Sequence, residues 1–177
     1  MKSSLFQDIL KPFIVLVVIC LVTSALLGVT NEMTKDVIAE NERAAAEATR
    51  KAVLPGATTF TEIPADPSWG VDGVYKEDSG LGYVITAHHK GYGGDVVVTV
   101  GFDNNGSITQ VSADTSTETQ GVGSKAGKED YLAQYAGVSG KAENVELITS
   151  ATFSSTAVRE SVNKALGAFA LAAGEAK

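Results

Sequence analysis

From Pro12 to Asn31 the chain has no charged residue, and Phe13 to Leu27 is almost entirely aliphatic. About 20 residues rising 1.5 Å each reach roughly 30 Å, the thickness of a bilayer's hydrocarbon core. A single segment in lipid satisfies its backbone polar groups only as a helix. The stretch therefore predicts one transmembrane helix over 12–31. A cleaved secretory leader is the rival reading. The run is longer than the apolar part of a usual leader, and Thr30-Asn31-Glu32-Met33-Thr34-Lys35 continues with helical character. Cys20 follows Val17-Val18-Ile19, without the small residue that precedes a lipoprotein cleavage site. Lys2 and Lys11 precede the span, whereas Lys35 comes after it together with Glu32, Asp36 and Glu40. Basic residues favour the cytoplasmic side. Residues 1–11 are therefore expected in the cytoplasm, with the bulk of the chain outside the cytoplasmic membrane.

Beyond the span, a chain of 177 residues has room for one more domain. Met33 to Val53 is rich in Ala, Glu and Lys, strong helix formers, and ends at Leu54-Pro55-Gly56, where Pro and Gly stop a helix. A stalk helix and linker are expected over 32–56, and a globular domain over 57–177. The net charge of −7 argues against a nucleic-acid partner, which requires a basic face. Cys20 is the only cysteine, so the chain can form neither an intrachain disulfide nor a cysteine-ligated cluster.

After Thr58 the pattern becomes short strands: Thr58 to Ile63, Gly73 to Lys76, Gly82 to His88, Asp95 to Phe102 and Ser107 to Ala113. The run Val96 to Phe102, then Asp103-Asn104-Asn105-Gly106, then Ser107 to Val111 reads as a hairpin, because Asn and Gly tolerate positive φ. Pro64, Pro67 and Trp69 belong to a connecting loop. A short helix from Glu129 to Tyr135, a strand from Asn144 to Ile148 and a helix from Ser155 to about Ala173 complete the pattern. Val158, Val162, Ala165, Leu166 and Phe169 form one face of that last helix. Strands first and helices later give an α+β class, an antiparallel sheet with a C-terminal helix.

Three segments are candidates for chemistry. Thr149-Ser150-Ala151-Thr152-Phe153-Ser154-Ser155 places hydroxyls where the chain enters its last helix. Such hydroxyls serve as N-caps, and the free N–H groups of a helix start also attract phosphate. Gly91-Tyr92-Gly93-Gly94 is either a tight strand entry or a place where backbone approaches a ligand. Its spacing is not that of a dinucleotide fingerprint. Thr117-Glu118-Thr119-Gln120-Gly121-Val122-Gly123 reads as a polar loop. His88 and His89 are neighbours on a strand and point to opposite faces, so they make no metal pair. Tyr83, Tyr92, Tyr131, Tyr135 and Phe153 are expected to pack rather than stack on a ligand, with Phe153 near enough to Thr152 to touch one. Lys125 and Lys128 read as a solvated face.

Taken in order, these segments resemble the FMN-binding domain family found in the G subunit of Rnf electron-transport complexes and the C subunit of sodium-pumping NADH:quinone reductases. The family's flavinylation motif reads approximately Asp-x-x-Ser/Thr-Gly-Ala-Thr, and its counterpart here is Glu146-Leu147-Ile148-Thr149-Ser150-Ala151-Thr152. Glu146 stands for Asp and Ser150 for Gly. A family segment Glu-Thr-Pro-Gly-x-Gly matches Glu118 to Gly123, with Gln120 for Pro. The resemblance implies FMN esterified through its phosphate to Thr152. It places Thr149, Ser150, Ala151, Phe153, Ser154, Ser155, Glu118, Thr119, Gly121, Gly123, Gly93 and Gly94 around the cofactor. It implies a membrane-anchored electron-transfer subunit of an ion-translocating ferredoxin:NAD⁺ oxidoreductase, working with other Rnf subunits rather than as an enzyme alone. A flavin transferase is implied as well, since no His or Lys stands near Thr152 in sequence to activate its hydroxyl. The homologous quinone-reductase subunit, and a cofactor-free tethered module, remain alternatives.

Overall fold

The computed structural model describes residues 2–175, with side chains from Ile9 to Gly174. The first element is a helix, α1, over Lys2–Val53, with Pro12 inside it. The chain divides into two compact units, one ending at Ala46 and the other beginning at Glu47.

In the first unit no described side chain of α1 is buried. Apolar residues such as Phe13, Leu21 and Leu27 face outward all round the helix. Over its most apolar window the mean hydropathy is 2.8. A helix apolar on every side is one made for an apolar surrounding. Its threonines satisfy their hydroxyls internally: Thr23 donates to the Ile19 carbonyl, Thr30 to Leu26 and Thr34 to Thr30, each at 2.9 Å. The helix has the length and composition to cross a membrane.

The second unit is a five-stranded antiparallel meander of sequential strands. The strands are β1 Phe60–Ile63, β2 Gly73–Glu77, β3 Gly82–Lys90, β4 Asp95–Asp103 and β5 Ile108–Asp114. Two short helical segments come next, a 3₁₀ turn at Gly123–Gly127 and α2 at Glu129–Leu132, which ends in a 3₁₀ turn at Ala133–Tyr135. The last helix, α3, runs over Thr152–Glu175. Alternation along the strands puts Ile85, Val96, Val98, Val100 and Phe102 on one face, where all are fully buried. There they meet Val158, Val162, Ala165 and Leu166 of α3 in one core, with Phe169 packed at its margin. A smaller cluster of Val53, Leu54, Ala57 and Val84 packs with Phe60 and Tyr75. In it the carbonyl of Val53, at the end of α1, accepts the Thr109 hydroxyl at 2.6 Å.

The β4–β5 hairpin forms at Asp103-Asn104-Asn105-Gly106, but only Gly106 takes a positive φ, +81°. The Asp103 carboxylate accepts the N–H groups of Asn105 and Ser107, both at 2.9 Å. That Asx arrangement spares Asn105 the left-handed conformation.

Two expected elements differ from those observed. Asn144 to Ile148 is not a strand but an irregular connection. Val145 is buried in the core, while the Ile148 N–H is held at 3.2 Å by the Ser155 hydroxyl rather than by a neighbouring strand. Its alternation reflects one anchored apolar residue in a loop. The last helix begins at Thr152, three residues earlier than expected. Ser155 is therefore inside its first turn, donating to the Ala151 carbonyl at 2.9 Å instead of capping the helix.

Candidate functional site

A cavity of about 200 Å³ opens where three segments of the second unit converge. The start of α3 supplies Ser150, Ala151, Thr152, Phe153 and Ser154. The loop after β5 supplies Glu118, Thr119, Val122 and Gly123, and the β3–β4 turn supplies Tyr92. All three segments picked out from the sequence therefore meet at one place.

Thr152 is the first residue of α3 and is exposed. The two hydroxyls next along the helix are both buried and engaged. Ser154, 2% exposed, donates to the Glu118 carboxylate, and Ser155 is bonded to backbone at Ile148 and Ala151. Burial and partners thus remove two of the three hydroxyls at the helix start from reaction.

Glu118 is the hub of the site. It is 4% exposed, and besides Ser154 it accepts the Gly93 N–H at 2.9 Å. Burial alone would push its carboxyl up. Hydrogen bonds from Ser154 and the backbone of Gly93, Gly94 and Tyr92 outweigh that and hold it below the usual carboxylate range. No lysine, arginine or histidine pairs with it among the described residues. Gly93 permits the approach, because a Cβ there would run into the Thr117 carbonyl.

Ser150 stands at φ +106°, the only described non-glycine residue with a positive φ. An L side chain in that region stores about 1–3 kcal/mol of strain, which glycine would not. Ser150→Gly is expected to raise the stability of the second unit by about 1 kcal/mol, part of the relieved strain being offset by extra freedom in the unfolded chain. Urea unfolding of the two proteins checks this; equal midpoints would show that the strain relieved does not exceed that offset.

Of the remaining expected site residues, Thr149 and Gly121 are exposed and Ser155 is buried, and none lines the cavity. Gly93 and Gly94 act from behind it, as partners of the Glu118 carboxylate. Two lining residues, Tyr92 and Val122, were not among those expected. Tyr83, Tyr131 and Tyr135 pack in the core as expected, but Tyr92 and Phe153 do not. They are 75% and 70% exposed, with ring centroids 6.4 Å apart at the cavity. The signal was their neighbours: each sits beside small or polar residues that cannot cover a ring. His88 pairs with Asp72 at 2.7 Å, and neither histidine is at the cavity.

These residues fit FMN. The site offers an exposed hydroxyl residue at Thr152, two exposed aromatic rings for a planar heterocycle, and an open cavity beside the start of α3.

Residues 1–53 match the RnfG N-terminal region, and residues 91–167 match the FMN-binding domain. The G subunit of the proton-translocating ferredoxin:NAD(+) oxidoreductase complex of Clostridium ljungdahlii is 24% identical, over 85% of this chain and 86% of the relative. The G subunit of the Na(+)-translocating ferredoxin:NAD(+) oxidoreductase complex of Acetobacterium woodii is 28% identical, over 91% of each. With one apolar helix leading into a domain of matching kind, the chain is similar over most of its length to the G subunits of Rnf complexes, and its residues 91–167 match an FMN-binding domain.

Proposed function

We propose that this chain carries FMN as a phosphate ester of Thr152 and relays electrons within an ion-translocating ferredoxin:NAD⁺ oxidoreductase complex, alongside the other Rnf subunits. The observation that carries the reading is the exposed Thr152 hydroxyl at the cavity, beside Ser154 and Ser155 hydroxyls that are buried and occupied. Both matched relatives bear names of the ferredoxin:NAD(+) type, which favours this complex over the quinone reductase.

Thr152 supplies the oxygen of the ester. The free N–H groups in the first turn of α3 favour the phosphate that remains charged. Tyr92, Phe153 and Val122 would offer apolar surface to the ring, and Ser150, Ala151, Thr119 and Gly123 would complete the cavity wall. The flavin itself supplies the capacity to take up and give back electrons.

A threonine hydroxyl needs activation to attack phosphorus. Among the described residues no histidine or lysine lines the cavity, and the Glu118 carboxylate there is committed to Ser154 and Gly93. Loading is therefore assigned to a separate flavin transferase. The test is peptide mapping after expression with such a transferase: the adduct should lie on the peptide holding Thr152. Protein that keeps its bare mass beside an active transferase would defeat the reading.

The chain is anchored by α1 over 12–31, continues through a stalk over 32–56, and holds its FMN-binding domain, 57–177, outside the cytoplasmic membrane. Lys2 and Lys11 before the span carry that orientation. Ser139→Cys in a Cys20→Ala background puts one thiol in an exposed loop. An impermeant maleimide added to intact spheroplasts is expected to label it fully. Labelling only after lysis would invert the topology.

A further inference from the structure

We propose that Glu118 lowers the reduction potential of the FMN held on Thr152, by standing as a fixed negative charge in the wall of the cavity. The inference rests on the carrier reading above.

The position comes first. Glu118 lines the same cavity as Thr152, on the wall contributed by the loop after β5. It is 4% exposed, so water screens its charge poorly, and interactions at such sites far exceed those at a surface. A methyl group added at Gly91 or Gly123 would strike the carboxylate, so backbone closes on it from both sides. Its partners among the described residues are neutral donors: the Ser154 hydroxyl and N–H groups of the glycine turn. They stabilise the charge in place without cancelling it, as a lysine or arginine would.

The sign then comes from charge alone. Two-electron reduction of a flavin ring adds two electrons and one proton, leaving it one unit more negative. A like charge nearby disfavours the more negative form. An ionised carboxylate in the wall thus shifts the equilibrium toward oxidised flavin, which is the same as lowering the potential. Hydrogen bonding of Glu118 to neutral protein donors gives this chain a way to hold that charge in the cavity wall.

The experiment uses full-length protein in detergent, loaded by a transferase and titrated with dithionite against redox dyes of known potential. Glu118→Gln keeps the size and one acceptor but removes the charge. Its oxidised-to-reduced equilibrium is expected to move about tenfold toward reduced flavin, a rise of about 30 mV for a two-electron couple. Glu118→Asp keeps the charge and should stay near the wild-type potential. If Glu118→Gln alone does not fold, Glu118→Gln with Ser154→Ala, which relieves the new amide of its hydroxyl neighbour, should show the same rise. Thermal unfolding of each variant on a Thr152→Ala background reports folding without flavin. Equal potentials for loaded wild type and the folded Gln variant would overturn the proposal, as would a rise in Glu118→Asp as large as in Glu118→Gln. Wild-type protein with no adduct on Thr152 would sink the carrier reading and this inference together; loaded proteins with equal potentials sink this inference alone.

Discussion

Thr152→Ala is expected to abolish covalent flavin completely. Co-expressed with a flavin transferase, the variant should run as a dark band under ultraviolet light and give the mass of the bare polypeptide. The effect is all-or-none, because the nearby hydroxyls are no substitutes. Ser154 and Ser155 are buried at 2% and 0% exposure, and their oxygens already have partners. Thr119, Thr149 and Ser150 are exposed, but none belongs to α3, whose first-turn N–H groups would hold the phosphate. Thr152→Ser keeps an oxygen at the same position and should restore the adduct. A flavin-bearing peptide in the Ala variant would mean that another hydroxyl is the acceptor, and the assignment would fall. Folding should not be at issue, since Thr152 is exposed and makes no core contact.

The largest effect on stability is expected at Phe102. Its ring is fully buried and lies stacked on Phe169 with centroids 5.1 Å apart, and Tyr83 meets Phe169 edge-on at 5.5 Å. Phe102 also stands opposite Tyr83 on β3 and Ile108 on β5, at the register shift beside Gly101. Phe102→Ala removes the ring that joins three strands to α3. Such truncations cost about 3–5 kcal/mol, out of the roughly 5–15 kcal/mol that stabilises a typical domain. In urea, the second unit of the variant should unfold at a much lower midpoint. The helical signal of α1 should persist, because that helix has no buried residue in the first unit to lose. A midpoint shift worth less than about 1 kcal/mol would show that the core closes over the missing ring.

Several features were legible because they are local. The uncharged run from Pro12 to Asn31 is a property of one segment, and α1 carries it without any tertiary partner. Likewise, β-branched runs flanking Asn-Gly marked the β4–β5 hairpin, and the spacing of Val158, Val162 and Leu166 marked the buried face of α3. In each case the period of the hydrophobic pattern and a turn residue carry the information within a dozen residues. Asn144 to Ile148 failed for the complementary reason. Its short alternation is compatible with a strand, yet pairing needs a free neighbouring edge, and here the backbone is tied to Ser155 instead.

The apolar helix, the run of short strands, the last helix and the threonine near its start could all be read from the chain, since each depends on periodicity and composition within one segment. Which hydroxyl stays free could not, because that turns on Glu118 meeting Ser154 across 36 residues in the folded domain. The same holds for Tyr92 and Phe153 staying uncovered, and for Ser150 taking a backbone conformation usually left to glycine. Contacts between distant segments are set by how loops close over a packed core, and no local pattern records that closure.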